Sequence, residues 1–482
     1  MATDHIFISA TPGEARIAEV ADGALSGLTV HRAGAETRVG DIYLGRVEAV
    51  IHGLQAAFVD IGEARSGFLA LPEVRPFGHG DEEDSIGDYL SEGDAVMVQV
   101  QRDAEEDKGA KLTTRVSLSG RDLVYTPDGA SVSISRRIGN DEDRKRLQAV
   151  MAEVSASGGG GFIVRTAAAE AEDEDLAAEA ARLRARWESV AVARQDAQAP
   201  ASLYREIEPA LRVLREHGGA ELEGIVVDDA DLFARLKAFT TEEMPDLVEV
   251  LRHHSGPTPL FEAEGVEEWI DAVLDPYVAL PCGGSLIISE TPALTAIDVN
   301  TGSADFGGRE RTGTEVNKEA AGEIARQIKL RNLSGLLVVD FVSMRRRENQ
   351  QAVSDAFHAA LADDPAHPNL VGFTRLGLAE MTRRRQGASL QELLCGGPAV
   401  PEKSPETVAL SALRGVLTEA AVNPAPGYVL EVHPSVADVL GNAHANALAE
   451  TQKRLGGNLE ISAIASQAAH VFEVRSVSGE AK

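Results

Sequence analysis

The sequence of 482 residues predicts a multidomain protein that combines α+β and α/β parts. Two observations predict this class. Short strands punctuated by glycines follow one another between residues 40 and 124, whereas apolar strands alternate with helices from residue 224 onward. Domains hold about 100–200 residues, so the chain should divide into roughly three or four. A hydrophobic content of 44% and a charged content of 25% exclude a disordered or collagen-like chain.

Charge and cysteine usage narrow the class further. The net charge of −30 disfavours non-specific binding to nucleic acid, so a polyanionic partner would need a local basic track. Cys282 and Cys395 are too few for a disulfide scaffold or for a four-thiolate zinc site within one chain. No signal peptide is evident, and the most apolar central run is far shorter than the ~20 residues that cross a bilayer. We expect a soluble, cytoplasmic protein.

The first elements are strands. Residues 6–9 and 14–21 are predicted to form short strands that are too short to fold alone. Short strands with glycines at their bends are typical of small barrels, and the five-stranded OB type is the expected fold of the next region. Its predicted strands cover residues 41–51, 56–61, 66–71 and 95–101.

A helix-rich middle region leads to a second sheet. A strand near residues 162–166 precedes an Ala/Glu-rich helix that extends to about residue 198, and helix is predicted again over 202–217. Strands are then predicted at 283–288, 294–300 and 335–342, with a helix at 315–331. Because these strands are apolar throughout, we expect a sheet that is buried on both faces. A Gly/Pro-rich linker leads to a small α+β module of helix, strand, helix, strand and strand.

The residues that carry the most chemical information are Asp298 and Asn300, which end one predicted strand, and Asp340, which ends another. In open α/β sheets functional groups gather beyond the carboxyl ends of strands, so these side chains could converge on one site. Their oxygens suit Mg²⁺, which binds one or two carboxylates together with substrate phosphate. The pattern indicates phosphodiester hydrolysis. From spacing alone, it is an equally good interpretation that both aspartates only cap strands or pair with arginines.

Three further sets of residues are candidates for binding nucleic acid. Phe58 and Phe68 lie on predicted barrel strands with Lys108 further along, and OB barrels stack bases on aromatic side chains beside cationic groups. A phenylalanine in a barrel is nevertheless more often a core residue. Arg165 and Thr166 end a strand and could hold a phosphate through a guanidinium and a hydroxyl group.

The third set is a group of basic residues around the aspartates. Such a group could form a phosphate track on an otherwise acidic protein, although charge balance on a helix surface is the simpler interpretation for any single member. Its members are Arg309, Arg311, Arg326, Lys329, Arg331, Arg375 and the runs 345–347 and 383–385.

Seven stretches resemble the RNase E/G family of endoribonucleases and occur in that family's order. The resemblance runs from about residue 5 to 395, and the C-terminal module looks like the family's small domain. The stretches are 40–47 (GDIYLGRV), 56–62 (AAFVDIG), 108–114 (KGAKLTT), 163–167 (IVRTA), 294–302 (LTAIDVNTG), 323–328 (EIARQI) and 336–341 (LLVVDF).

The resemblance implies a specific architecture. An RNase H-like subdomain, split between residues 1–35 and 216–278, would surround an OB-fold RNA-binding domain at 36–125 and a 5′-sensor at 126–215. A DNase I-like catalytic subdomain at 279–395, a linker at 396–404 and a small KH-like domain at 405–482 would follow.

The resemblance also implies roles for particular residues. Catalysis would fall to three residues, with Asp298 and Asp340 binding Mg²⁺ and Asn300 supporting them. Single-stranded RNA would contact Phe58, Phe68 and Lys108, and the RNA 5′-monophosphate would be held by Arg165, Thr166 and Val124.

Several departures from the family limit what carries over. Cys395 stands without the second cysteine of the family's Cys-Pro-x-Cys zinc link, so we expect no zinc, and a homodimer without that link stays open. Ser343 stands where the family commonly has a second Asp, and Arg115 where an aromatic residue is often found. The chain shows no long C-terminal scaffold or amphipathic membrane helix, so degradosome assembly and membrane attachment are not expected.

The sequence therefore predicts a Mg²⁺-dependent, single-strand-specific endoribonuclease of RNA processing and decay. It would leave 5′-phosphate products and be stimulated by a 5′-monophosphate. The alternatives are a catalytically inactive RNA-binding relative and a phosphodiesterase directed at DNA.

Overall fold

A computed structural model gives the three-dimensional structure of the chain. It describes residues 3–33, 37–74, 84–104, 108–217, 222–362, 364–385, 387–396 and 403–477. The chain divides into two compact units. One comprises Met1–Gly34, Glu221–Lys237 and Val248–Lys482, and the other comprises Ala35–Ala220 and Ala238–Leu247.

The strands of the described residues are short and belong to five sheets. In chain order they are β1 (His5–Thr11), β2 (Glu14–Ala21), β3 (Ala24–Arg32), β4 (Ile42–Ile51), β5 (Ala56–Asp60), β6 (Gly67–Ala70), β7 (Ala95–Arg102), β8 (Lys111–Thr113), β9 (Leu118–Ser119), β10 (Leu123–Thr126), β11 (Val132–Ile134), β12 (Gly161–Val164), β13 (Ala201–Tyr204), β14 (Gly224–Val227), β15 (Leu251–His253), β16 (Tyr277–Ala279), β17 (Ser285–Glu290), β18 (Thr295–Asn300), β19 (Gly335–Asp340), β20 (Asn369–Phe373), β21 (Leu378–Arg383), β22 (Gly427–Val432), β23 (Asn458–Ala463) and β24 (Phe472–Val477).

The helices range from single turns to long amphipathic segments. In chain order they are α1 (Leu71–Val74), α2 (Asp141–Ala156), α3 (Asp173–Asp196), α4 (Pro209–His217), α5 (Ala230–Glu243), α6 (Leu260–Ala263), α7 (Val266–Leu274), α8 (Arg309–Leu330), α9 (Arg347–Leu361), α10 (Leu390–Cys395), α11 (Pro405–Val422), α12 (Pro434–Gly441) and α13 (Ala445–Leu455). Within the described ranges, none of them combines the length and the apolar composition of a membrane span.

A closed five-stranded barrel lies in the second unit. Its strands pair in the order β4-β5-β6-β8-β7, and β7 pairs again with β4 to close the ring. Residues on alternate positions, such as Ala57, Val59, Leu69 and Leu112, fill the interior and are fully buried. This closure confirms the OB-like barrel that the glycine-punctuated strands predict.

The helix predicted over residues 202–217 is wrong in its first part. Ala201–Tyr204 form strand β13, which pairs antiparallel with β4, and α4 begins only at Pro209. Proline favours the first turn of a helix and disfavours helix in the residue before it, which explains the late start. Pairing with a distant strand outweighs the weak helical periodicity of this segment.

A four-stranded sheet in the order β11-β12-β10-β9 completes the second unit. Apolar side chains of α2 and α3, among them Leu147, Met151, Leu176 and Leu183, share one buried core with the sheet. The long helix predicted up to about residue 198 corresponds to α3. The boundary predicted at residue 125 falls inside β10, which pairs with β9 on one side and with β12 on the other rather than with the barrel.

The first unit contains a mixed sheet in the order β15-β14-β1-β2-β3. Strands β1 and β2 correspond to the two predicted N-terminal strands, whereas the sequence pattern does not predict β3. The small C-terminal sheet, in the order β23-β22-β24, packs with α11, α12 and α13, as the predicted alternation requires. Most of the predicted linker before it, residues 397–402, lies outside the described residues.

The largest sheet of the first unit carries the predicted aspartates and has the order β16-β17-β18-β19-β21-β20. Helices α8 and α9 share a buried core with one of its faces. On the other face Ile287 and Leu336 remain 41% and 43% exposed, so the expectation of burial on both faces is wrong. Burial alternates along β18 although apolar residues occur at both kinds of position, and composition alone therefore misled the prediction.

Candidate active site

Asp298 and Asp340 occupy matching positions on neighbouring strands. Strands β18 and β19 run parallel, and their register pairs Asp298 directly with Asp340. Since neighbouring strands lie about 4.8 Å apart and paired residues point to the same side, the two carboxylates project next to each other. Both residues are exposed, on the face opposite to α8 and α9. The structure thus brings together the two aspartates that the sequence singled out.

Asn300 joins the same face because it follows Asp298 by one strand period. Its Nδ2 donates a hydrogen bond of 2.8 Å to Oδ2 of Asp298. Within the described part of the chain, neither aspartate forms an ion pair, and Asp340 accepts no side-chain hydrogen bond. The interpretation that these aspartates pair with arginines therefore has no support in the contacts.

The donor set fits a hard divalent cation. Two adjacent carboxylates repel each other unless a cation lies between them, and Mg²⁺ binds one or two carboxylates while it keeps several waters. The described residues contain no cluster of three or more His, Cys, Asp and Glu side chains that could enclose a metal. Among these residues, a cation at this place would have the carboxylates of Asp298 and Asp340 as ligands, on an exposed face of the sheet.

The chain that follows Asp340 is held by Asn317 of α8. This asparagine is fully buried, its Nδ2 donates to the carbonyl oxygen of Val342 at 2.8 Å, and the Val342 N–H donates to its Oδ1 at 3.0 Å. The side chain thus satisfies both backbone groups of Val342, as a neighbouring strand would. Sequence reasoning missed Asn317, whose only signal is a polar residue on the apolar stripe of α8.

Glu310, in the first turn of α8, holds the next part of the same loop. Its carboxylate accepts hydrogen bonds from the backbone N–H groups of Arg345 and Arg346. These bonds, the one to Arg346 above all, keep the pKa of Glu310 below its ordinary value. The basic run 345–347 stays exposed and begins shortly after Asp340 in the chain.

Several residues of the predicted basic track bind other parts of the protein instead. Arg383 is buried and donates to Asp364, and Arg331 is buried and donates to Gln327, so both serve the fold. Burial lowers the pKa of Arg331 to about 10. Arg326 forms an ion pair with Glu323 on its own helix. Exposed basic residues of the set are Arg309, Arg311, Lys329, Arg375, Arg384, Arg385 and the run 345–347.

On the barrel, Phe58 and Phe68 form a cross-strand pair outside the core. Their residues are paired in register on β5 and β6, and the ring centroids lie 5.9 Å apart at 66°. Both rings are half-buried, while their neighbours Ala57 and Leu69 point inward. Lys108 is exposed on the segment that leads into β8. The more common interpretation of a barrel phenylalanine as a core residue does not hold here.

The three residues predicted to hold a 5′-phosphate lie on or directly after β10 and β12, the two inner strands of the four-stranded sheet. Val124 on β10 pairs with Ile163 on β12, and Arg165 follows β12 directly, with its N–H donating to the carbonyl oxygen of Asp122 at 2.8 Å. Thr166 comes next, and its hydroxyl lies 3.1 Å from that of Ser135. Sequence reasoning missed Ser135, although the exposed Arg136-Arg137 pair that follows it was a visible signal.

Comparison with known proteins decides the family. The sequence profile described as the Ribonuclease E/G family matches residues 117–386. Ribonuclease G of Salmonella typhimurium (strain SL1344) is 36% identical to this chain over 476 residues, which cover 95% of the chain and 96% of that protein. The chain belongs to the ribonuclease E/G family. This membership confirms the resemblance seen in the sequence and the prediction of an endoribonuclease.

Other members of the ribonuclease E/G family show similar identity. Ribonuclease G of Haemophilus influenzae is 37% identical over 463 residues, covering 92% of this chain and 93% of that protein. Ribonuclease E of Nostoc sp. is 38% identical over 372 residues, which cover 75% of this chain and 54% of that protein. The similarity thus extends over the sheet that carries Asp298 and Asp340 and well beyond it.

Proposed function

We propose that this ribonuclease E/G family member is a Mg²⁺-dependent endoribonuclease that hydrolyses single-stranded RNA and leaves 5′-phosphate products in RNA processing and decay. The observation that carries the proposal is the pairing of Asp298 with Asp340 in register on an exposed sheet face. Family membership supports ribonuclease chemistry, and the two adjacent carboxylates support a divalent cation.

At the reaction centre, Asp298 and Asp340 would hold Mg²⁺, and Asn300 would orient Asp298 through their hydrogen bond. When bound, the ion supplies a Lewis acid that stabilises charge on the scissile phosphate. Asn317 binds the backbone of Val342 and would thereby fix the chain that follows Asp340. The exposed arginines of the run 345–347 would bind neighbouring phosphates of the RNA.

The barrel would bind the single-stranded RNA. The half-buried rings of Phe58 and Phe68 would provide a surface on which bases stack, and Lys108 would provide a charge for the backbone. Stacking needs an unpaired base with a free face, which is why this surface favours single strands over duplexes.

The sheets also support the proposed subdomains. We assign residues 1–35 and 216–278 to an RNase H-like subdomain, since β1 pairs antiparallel with β2 and parallel with β14 in one mixed sheet. The sheet with α8 and α9 would be the DNase I-like subdomain, and the three-stranded C-terminal sheet with its helices would be the KH-like domain. The 5′-sensor would comprise β9–β12 with α2 and α3.

We expect no zinc link in this chain. Cys395 is buried in an apolar core together with Leu390 and Leu394, and burial raises the pKa of its thiol. Zinc binds the thiolate, so these surroundings disfavour it. That no zinc is bound, and that any homodimer forms without it, remain predictions.

A cleavage assay on matched oligonucleotides tests the proposed function. We expect the full chain to cut a short AU-rich single-stranded RNA only when Mg²⁺ is present, and to spare the same sequence as a duplex or as 2′-deoxy DNA. Binding of the RNA without any cleavage would favour the inactive relative. Cleavage of the DNA at a similar rate would favour a phosphodiesterase directed at DNA.

A second expectation concerns the RNA 5′ end. Since a guanidinium and a hydroxyl group bind phosphate through charge-assisted hydrogen bonds, a 5′-monophosphorylated RNA should be cut faster than its 5′-hydroxyl counterpart. Arg165→Ala should abolish this difference, whereas Arg194→Ala, an exposed arginine on α3, should preserve it. Initial rates on the two substrates measure the effect. Equal rates with the parent protein would refute the role of Arg165 and Thr166.

A further inference from the structure

A buried carboxylate lies directly behind the residues assigned to the 5′-phosphate. Glu179 of α3 is only 4% exposed and interrupts the apolar stripe of that helix. It accepts a hydrogen bond from the backbone N–H of Arg121, and the N–H of Asp122 lies 3.2 Å from its Oε1 and 3.1 Å from its Oε2. The carboxylate therefore binds two successive N–H groups of the turn between β9 and β10, which we call the 120–122 turn.

The same turn also binds Arg165. Nη1 of Arg165 donates to the carbonyl oxygen of Gly120 at 2.9 Å, and the Arg165 N–H donates to that of Asp122 at 2.8 Å. The turn packs tightly onto Glu179, since a Cβ added at Gly120 would collide with the carboxylate. The turn thus connects the carboxylate of Glu179 to the guanidinium of Arg165 through direct hydrogen bonds.

We infer that Glu179 is a positioning residue for recognition of the RNA 5′ end, because it fixes the 120–122 turn and the turn fixes Arg165. Glu179 would not touch the RNA itself. This inference rests on the proposed recognition of a 5′-monophosphate by Arg165. It adds that Glu179 positions Arg165 through the 120–122 turn.

The surroundings of Glu179 make its hydrogen bonds to the turn depend on pH. Desolvation, followed by the charge of Asp122, raises the pKa of Glu179 to about 7, whereas the two backbone N–H groups and Arg182 act in the opposite direction. An ionised carboxylate accepts both N–H bonds, but a protonated one gives up acceptor capacity. The charged groups around it are Arg121 and Asp122 on the turn and Arg182 on α3. Arg186, Arg215 and Glu243 line a small cavity together with Glu179.

The substitution Glu179→Gln in the full chain tests the inference. Glutamine keeps the size and one acceptor oxygen, but it removes the negative charge. It also replaces the second oxygen, which lies 3.1 Å from the Asp122 nitrogen, with an NH2 group that can only donate. We expect the ratio of kcat/KM for 5′-monophosphorylated over 5′-hydroxyl RNA to fall about tenfold, the equivalent of one charge-assisted hydrogen bond. The change should arise in KM, and the rate on 5′-hydroxyl RNA should stay at the parental value.

The pH profile of this ratio provides the readout that a merely structural role would not change. In the parent protein the ratio should rise as the pH passes through about 7, and in Glu179→Gln this rise should vanish. The terminal phosphate itself titrates near pH 6, a change that both proteins share. Glu188→Gln, which places the same change at an exposed position of α3, should behave like the parent.

Three results would overturn the inference. The first is a Glu179→Gln protein that keeps both the parental ratio and its rise with pH. The second is an equal loss of rate on both RNAs together with a lower melting temperature, because this would mark a purely structural carboxylate. The third is a parent protein with no preference for the 5′-monophosphate, which refutes the proposed 5′-sensor first and is recognised before any variant is made.

Discussion

Asp298→Asn and Asp340→Asn should each lower the cleavage rate by about two to three orders of magnitude, the equivalent of several kcal/mol of barrier. Each change removes one of the two charges that would hold Mg²⁺, while the shape of the side chain stays the same. Since both positions are exposed, the fold should tolerate either variant. Single-turnover cleavage at saturating Mg²⁺ measures the loss, and fluorescence anisotropy with labelled RNA should show that binding persists.

A matched control comes from the opposite side of the same subdomain. Asp355 is exposed on α9, so Asp355→Asn makes the same chemical change away from the paired aspartates. This variant should cleave at the parental rate. If Asp298→Asn or Asp340→Asn also cleaves near the parental rate, the reaction centre lies elsewhere and the proposed mechanism is wrong.

The sequence located these aspartates because the relevant information is local. An apolar run that ends in Ile-Asp-Val-Asn predicts a strand and places two polar side chains on one side of it, since side chains alternate along a strand. The exposure of that side could not be read in the same way. Ile287 and Leu336 give the open face an apolar composition, and only the position of α8 and α9 reveals which face is covered.

Long-range pairings account for the other differences. Strand β13 pairs with β4, which precedes it by more than a hundred residues. The sequence of residues 201–204 does not indicate this pairing. Glu179 could have been noticed, because an acidic residue interrupts an apolar stripe that includes Leu176, Ala180 and Leu183. Its partners, the backbone N–H groups of a distant turn, could not be predicted, because any buried donor would satisfy a carboxylate equally well.

The roles of the arginines near the aspartates also depend on partners that the sequence does not reveal, and one of these roles can be tested. Arg383 looks like a phosphate ligand in the sequence, yet its Nε donates to Oδ2 of Asp364 at 2.6 Å and its Nη2 donates to Oδ1 at 3.1 Å. Its Nη1 donates to Oδ1 of Asn332 and to the carbonyl oxygen of Leu333, on the segment that leads into β19. The side chains of Arg383 and Asp364 are only 2% and 5% exposed.

Arg383→Met should therefore destabilise the first unit by about 3–5 kcal/mol, because it leaves the Asp364 carboxylate buried without its partner. Arg384→Met changes the neighbouring exposed arginine and should stay within about 0.5 kcal/mol of the parent. Urea denaturation of the full-length variants measures both effects as changes in the free energy of unfolding of the first unit. Asp364→Asn added to Arg383→Met should restore part of the loss, because it removes the unpaired charge. The proposed role of Arg383 in stability is wrong if Arg383→Met and Arg384→Met prove equally stable. If Arg383→Met then binds RNA more weakly than the parent protein does, Arg383 belongs to the RNA track.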